Sequence, residues 1–430
     1  MRIAYLTGRY PAVTHTFILR EVHALRRLGV EVHTHSIWRT GGQELLSSAD
    51  QAEASATQHL LPPHLAEVLQ AHTHALRSRP RGLLSVFARA ATLGRPGIKG
   101  RAMSVLWALE AVTLWHRLER AGLRHIHAHL NGTAPTVALL AVALANAGAP
   151  EHRWTWSLTV HGPSEFYDVS GERVAEKVRD ADLVVAISDF ARSQLMALVD
   201  EEHWQKIRIV HCGVDATVFS PNSALRPGAP LRVLTISRLA PTKGTAVLLQ
   251  ALALLRRRGV NAEAVVVGDG VRRAALEKLA ERLGIAGQVR FVGAVGQDRI
   301  RDYYAAADVF CLPSFAEGVP VVLMEAMAME VPVVATAIMG VPELVEHDRS
   351  GILVPPGRAD AVADALALFA SDPKRRAALG RAGRAKIIAE FDVNRSAERL
   401  RNLFAAALND DREFPITPGE HEAVEPEESR

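Results

Sequence analysis

Two successive alternations of strand and helix signals, parted by SPNSALRPGAP at Ser220 to Pro230, govern what this chain can fold into. The first alternation holds RIAYLT, VEVHTHSI, HIHAHL, SLTVHGPSEF, ADLVVAIS and KIRIVHCGVD. The second holds LRVLTISRL, AEAVVVGDG, VRFVG, ADVFCLP, VPVVAT and GILVPP. Short apolar runs with amphipathic helices such as FILREVHALRRLG between them read as strand, helix, strand units of parallel sheets. The expected class is α/β, with two doubly wound domains facing a cleft, because such sheets bind ligands outside the carboxyl ends of their strands. A length of 430 residues also exceeds one compact core. The boundaries read as 1–219 for the N-terminal domain, 220–230 for a linker, 231–392 for the C-terminal domain and 393–408 for a closing helix. Residues 409–430 are acidic, polar and proline-containing, and read as disordered.

From about Leu45 to Arg120 no strand pattern is evident and Ala, Leu and Arg dominate, so this part reads as helices inserted into the first domain. Between Arg77 and Arg101 every charged side chain is basic: Arg77, Arg79, Arg81, Arg89, Arg95, Lys99 and Arg101. Leu84, Phe87 and Ile98 lie among them, so a face for an anionic membrane and a solvated helical face are both open readings. The whole chain is near charge balance, with 50 basic and 47 acidic residues, and no nucleic-acid-binding motif accompanies the basic ones. Nucleic acid is therefore not an expected partner. Cys212 and Cys311 are too few for a disulfide framework or a four-ligand zinc site, and fit a reducing cytoplasm. The opening MRIAYLTGRYP lacks the charged, apolar, small-residue succession of a secretory leader. Leu130 to Pro150 carries no charge, but Asn131, Pro135, Asn146 and much Ala make it a buried core helix rather than a span, which needs about 20 strongly apolar residues.

The stretch with most chemistry is PSFAEGVPVVLMEAMAMEVPVVATAIMGVPELVE, Pro313 to Glu346. It reads as a strand ending at Leu312, a loop with Glu317 and Gly318, a helix with Pro320 in its first position, and a strand from Val331. Proline there, with glycine ahead of it, leaves amides free at the helix start, where the helix dipole favours a phosphate. Glu317 and Glu325 would stand roughly 12 Å apart on nearly one face, about the reach of a nucleotide sugar from hexose to ribose. A helix-capping Glu317 and a solvated Glu325 form the plain alternative. The loop from Gly8 to Thr16 should line the cleft, which makes His15 and Thr16 candidate contacts. His161 and Gly162 follow the strand SLTV, again at a carboxyl end. The single DxD string, Asp180 to Asp182, precedes its strand, so no metal site is assigned to it. Gly268 and Gly270 read as a tight strand-to-helix turn, and Glu343 as a local cap or pair.

With those residues in view, the second half resembles the retaining glycosyltransferases of the GT-B fold, family 4, also called glycosyl transferase group 1. SRLAPTKG, VVVGDGVRRAALEKLA, VRFVGAV, YYAAADVFCLPSFAEGVPVVLMEAMAMEVPVVAT and GVPELVEHDRSGILVPPG keep the family's order across nearly all of residues 231–405. The E-x7-E signature of the family falls on Glu317 and Glu325. The first half is similar more loosely, through HIHAHL, LTVHGPSEFYD, AISDFARSQL and HCGVD. Its opening YPAVTHTFILREV looks like the colanic-acid type of exopolysaccharide transferase, with Thr14 and His15 where Ser and Glu are usual, and without the Gly-Gly of the wider family.

The resemblance implies a GT-B fold, two Rossmann-like domains across a cleft. It implies a retaining, metal-independent transfer of a sugar from a nucleotide-sugar donor, UDP- or GDP-sugar, to a glycan or lipid-linked acceptor, in exopolysaccharide, colanic-acid-like or lipopolysaccharide biosynthesis. Arg238 and Lys243 would hold the donor diphosphate, Glu317 the transferred sugar and Glu325 the ribose. Gly318, Val319, Pro320 and Val321 would bring backbone amides to the donor, and His161 would meet a donor hydroxyl at the reacting centre. Two fixed cations near helix amides can stabilise a departing nucleoside diphosphate without a metal, so no cofactor is expected. The expected place is the cytoplasm, with the inner face of the membrane left open by the basic stretch. A nucleotide-sugar epimerase of the same architecture, or a non-catalytic sugar-nucleotide-binding partner, are the alternatives.

Overall fold

A computed structural model describes residues 1–12, 15–95, 97–130, 132–147, 153–221 and 230–408. The readings made for Thr14, for linker residues 222–229 and for the tail 409–430 lie outside the described residues. Among the described residues, thirteen strands form two sheets. The first is built from β1 (Arg2–Arg9), β2 (Glu31–Trp38), β3 (Gln58–Leu61), β4 (His125–His129), β5 (Thr155–Val160), β6 (Leu183–Ala186) and β7 (Ile207–Ile209), in the order β3-β2-β1-β4-β5-β6-β7. The second is built from β8 (Leu231–Ile236), β9 (Ala262–Val267), β10 (Val289–Gly293), β11 (Val309–Leu312), β12 (Val333–Thr336) and β13 (Ile352–Val354), in the order β10-β9-β8-β11-β12-β13. Every neighbouring pair is parallel. Both are doubly wound, as the alternation in the sequence predicts.

The first half carries α1 (Thr16–Arg27), α2 (Ser48–Ala56), α3 (Leu65–Ser78), α4 (Pro80–Leu93), α5 (Ile98–Ala121), α6 (Thr133–Asn146), α7 (Val174–Asp180) and α8 (Asp189–Met196). The second carries α9 (Thr245–Arg257), α10 (Arg273–Arg282), α11 (Gln297–Ala306), α12 (Val321–Ala328), α13 (Val341–Leu344), α14 (Ala359–Ser371), α15 (Pro373–Glu390) and α16 (Val393–Leu408). Helices cover both faces of each sheet, which is why the strands read as unbroken apolar runs. On β1, Ala4 and Leu6 pack into one cluster while Ile3 and Tyr5 pack into another. On β11, Cys311 faces one way and Phe310 and Leu312 the other. The closing helix α16 belongs to the first half in space, because Leu400, Leu403 and Phe404 join Ile3 and Tyr5 in one core. A further apolar seam joins the halves, with Ile187, Cys212 and Val214 packed among Leu312, Val319 and Leu323.

The insertion differs from expectation in one respect. It contains a strand as well as helices, since β3 pairs with β2 at the sheet edge. Only Leu60 of its four residues is buried, so no alternation marks it in the sequence. The basic stretch is partly spent on ion pairs: Arg79 with Glu119, Arg89 with Asp180, and Arg95 with Asp168 and Glu172. The uncharged helix α6 is buried along its length, as expected, and among the described residues no helix is long and apolar enough to cross a membrane.

Candidate active site

Strand order reverses between β1 and β4 and again between β8 and β11, and at both points the carboxyl ends open on one cleft of about 990 Å³. The first sheet contributes His15, Thr16 and Phe17 after β1 and His161 to Glu165 after β5. The second contributes Arg238 and Lys243 after β8, Gly268 and Asp269 after β9, and Glu317, Gly318, Val319, Pro320, Val321 and Glu325 after β11. Every residue that the sequence suggests for the donor, the acceptor or catalysis thus lines a single cavity. His15 has its ring Nδ1 3.3 Å from the Arg9 carbonyl, and burial lowers its pKa.

Glu317 is 8 % exposed, and its Oε1 accepts from Lys243 Nζ at 2.7 Å and from Ser314 Oγ at 2.7 Å. It caps no helix: the N-cap of α12 is Pro320. Pro320 itself stands one place earlier than expected, with Val321 the first helical residue. Lys243 reaches Glu317 because two loops are locked together. Phe315 N donates to Thr242 O at 2.7 Å, and Gly244, at φ +61°, lies so close to the chain that a Cβ there would meet Pro313 O at 1.9 Å. Only glycine fits that approach. Arg238 is exposed on the cleft, and among the described residues no carboxylate pairs with it.

Glu325 is 2 % exposed, so the solvated alternative does not hold. Its Oε1 takes a hydrogen bond from Arg20 of α1, in the other half, and its Oε2 takes one from Tyr304 Oη at 2.7 Å. Burial, then the Glu325 charge, push the Tyr304 phenol well above its ordinary pKa, which keeps it a donor. Arg20 also donates to Gln297 Oε1 at 2.6 Å and lies over the Phe219 ring. Neither Arg20 nor Tyr304 is distinguished in the sequence. Arg20 is one of several basic residues on an amphipathic helix, and its partner is 305 positions away.

His161 lines the cleft, but both ring nitrogens have partners inside the protein: Nε2 lies 2.8 Å from His129 Nδ1, and Nδ1 lies 3.5 Å from Cys212 Sγ. The Glu165 carboxylate accepts from the backbone amides of His161 and Gly162 at 2.6 and 2.8 Å. Across the cleft, a Cβ on Gly318 would meet His161 O at 2.3 Å, so the two halves touch here backbone to backbone.

Two weaker motifs resolve as structure. Asp180 and Asp182 are held by Arg89 and Arg153 and by the Trp156 indole and amide, away from the cleft. Glu343 is not a local pair: its carboxylate accepts from Asp189 N at 2.8 Å and Phe190 N at 2.9 Å, and so caps α8 of the other half. Glu343→Ala is expected to lower stability by about 1 kcal/mol, the usual worth of a cap, with Ser188 still capping Ala191. Urea unfolding of the two proteins checks this.

Two Rossmann-like sheets turned toward a shared cleft make a GT-B fold. The family described as glycosyl transferases group 1 matches residues 219–386. A GDP-mannose-dependent alpha-(1-6)-phosphatidylinositol monomannoside mannosyltransferase of Mycobacterium tuberculosis is 33 % identical over 295 residues, covering 63 % of this chain and 74 % of that one. WcaL of Escherichia coli K12, named as a colanic acid biosynthesis glycosyltransferase, is 27 % identical and spans 94 % of this chain and 100 % of its own. Among solved structures, Anabaena HepE in complex with UDP superposes with a TM-score of 0.69 at 19 % identity, over 94 % of this chain and 100 % of that one. The chain belongs to the group 1 glycosyltransferases, and it is a glycosyltransferase.

Proposed function

We propose that this glycosyltransferase moves a hexosyl group from a UDP- or GDP-sugar to a glycan or lipid-linked acceptor during exopolysaccharide assembly, with retention at the anomeric carbon and without a metal. The observation that carries this is the pairing of Lys243 with Glu317 beside Arg238 in one cleft. The names of the relatives support it: one uses GDP-mannose and one serves colanic acid biosynthesis. HepE is described with UDP bound.

In this reading Lys243 keeps one N–H on Glu317 and offers its others to the diphosphate, with Arg238 as the second cation. Charge growing on the departing nucleoside diphosphate is met by fixed donors, including the first turn of α12 after Gly318 and Val319. Glu317 orients the transferred sugar, and Glu325 takes the ribose hydroxyls. The acceptor hydroxyl attacks the anomeric carbon from the face the diphosphate leaves. The carbon–oxygen bond to phosphate breaks, the new glycosidic bond forms, and the hydroxyl proton passes to the departing phosphate oxygen. His15 and Thr16 lie on the acceptor side. Contact with an anionic membrane at the cytoplasmic face belongs to the same reading. Leu84 is 74 % and Ile98 88 % exposed, and Arg81, Lys99 and Arg101 are exposed beside them.

Incubation with UDP-, GDP- and ADP-sugars, with and without a lipid-linked oligosaccharide acceptor, should give acceptor-dependent nucleotide release with one donor. That donor should also raise the melting temperature as its concentration rises. Conversion of a donor without acceptor would mark an epimerase, and stabilisation without turnover a binding partner; either would overturn the transferase reading.

A further inference from the structure

We propose that Glu21 and His129 are positioning residues that hold His161 in one tautomer, protonated at Nε2 and bare at Nδ1, so that the site accepts a hydrogen bond from a donor-sugar hydroxyl. The functional half of this rests on the reading that His161 meets the donor.

The proton positions follow from one end. Tyr5 of β1 donates its phenol to Glu21 Oε1 at 2.7 Å, and burial, then Glu21, hold that phenol far above its ordinary pKa, so Oε1 is an acceptor. His129 Nε2 stands 3.1 Å from the same oxygen, too bent for a good hydrogen bond, and makes none to any other group among the described residues. A carboxylate oxygen this close repels a bare ring nitrogen, so Nε2 carries the proton. In a neutral ring Nδ1 is then bare, and it accepts from His161 Nε2–H at 2.8 Å. The two rings lie within 23° of coplanar, as an in-plane N–H···N bond needs. That leaves His161 Nδ1 as an acceptor beside the Cys212 thiol, which burial keeps protonated. The Phe17 ring packs on His161 with centroids 4.5 Å apart. His127 stands near this chain but outside it, because its nitrogens are taken by Ser157 Oγ at 2.7 Å and Thr159 Oγ1 at 3.0 Å.

A thiol 3.5 Å away is a weak donor. Cys212 and His161 both line the cleft, so a sugar hydroxyl arriving there can replace the thiol at Nδ1. A group that only accepts, such as fluorine, finds no partner. The relay therefore makes His161 a test for O–H on the transferred sugar, set by a carboxylate two rings away. The sequence shows none of this, since Tyr5, Glu21, His129, His161 and Cys212 come from five separate elements or loops.

The experiment is ring 15N spectroscopy of histidine-labelled enzyme, with the two rings assigned through His129→Gln and His161→Gln. The result expected in the wild type is Nε2 protonated and Nδ1 bare on both rings. In Glu21→Gln a neutral amide replaces the carboxylate, a second His161 tautomer appears, and kcat/KM falls about tenfold, the worth of one hydrogen bond. The wild type should also reject the donor fluorinated at the contacted position, and Glu21→Gln should reject it less, which a merely structural role for Glu21 would not produce. A doubly protonated His129, or His161 protonated at Nδ1 in the wild type, overturns the proposal, as does a Glu21→Gln enzyme with unchanged tautomer and unchanged fluorine discrimination. The wild-type ring shifts decide the tautomer even where a variant does not fold. They also decide it if no donor turns over, in which case the transferase reading fails separately.

Discussion

Lys243→Ala is expected to lower kcat/KM by about 10²- to 10³-fold, the range seen when one fixed donor to a developing charge is removed. Two losses combine. The departing diphosphate loses a cation held close to the start of α12. The Glu317 carboxylate, 8 % exposed, keeps only the Ser314 hydroxyl at 2.7 Å in place of two donors. Leaving a buried carboxylate without its cation disfavours the geometry that the sugar needs. Lys243→Arg should recover little, because a planar fork does not replace a compact ammonium in the tight turn between Pro241 and Gly244. Steady-state nucleotide release with saturating acceptor measures the effect. Turnover within threefold of the wild type in Lys243→Ala would show that this amine takes no part.

What could be read from the sequence follows from burial and from locality. The second sheet was legible because AVVV, VFCL and VPVVAT are buried on both faces and flanked by glycine and proline turns, so each strand announces itself within a few residues. The Glu317 loop is legible too, since it follows a strand at its carboxyl end, where the doubly wound order gathers ligands, whereas Arg238 and Lys243 stand out only through the resemblance to the group 1 family. The edge strand β3 was not, because one buried residue in four makes no pattern.

The contacts between the halves escaped for a different reason. Arg20 meets Glu325 across 305 positions and Glu343 meets Asp189 across 154, and no spacing rule along the chain reports such pairs. Glu343 therefore reads as a local cap or pair and Glu325 as either a ribose ligand or a solvated acid. The structure joins both residues to the opposite half. Tautomers are further out of reach, because which nitrogen of His161 holds the proton depends on a carboxylate on α1. The hydrophobic seam of Ile187, Cys212 and Val319 is composed of residues that any core would use.

The second large effect is expected at that crossing. Glu325→Ala should lower the unfolding free energy by about 3 kcal/mol or more, since removing one partner of a buried pair leaves the other charge uncompensated. Arg20 would then keep only Gln297 and the face of Phe219, with its Nη1 already buried and without a partner. Arg20→Ala should cost a similar amount by stranding Glu325 with the Tyr304 phenol alone. The double variant removes both charges, so its loss should fall well short of the sum, with a coupling of about 1 to 3 kcal/mol. Urea unfolding of all four proteins gives that coupling, and additivity within about 0.5 kcal/mol would mean that the pair does not act as one. Each oxygen of Glu325 accepts a hydrogen bond and the side chain is 2 % exposed, so a ribose that reaches this carboxylate competes with Arg20 and Tyr304 for the space around it. Repeating the cycle with saturating nucleotide should therefore shrink the coupling. Donor binding would then be tied, through a single carboxylate, to how firmly α1 of one half grips α12 of the other.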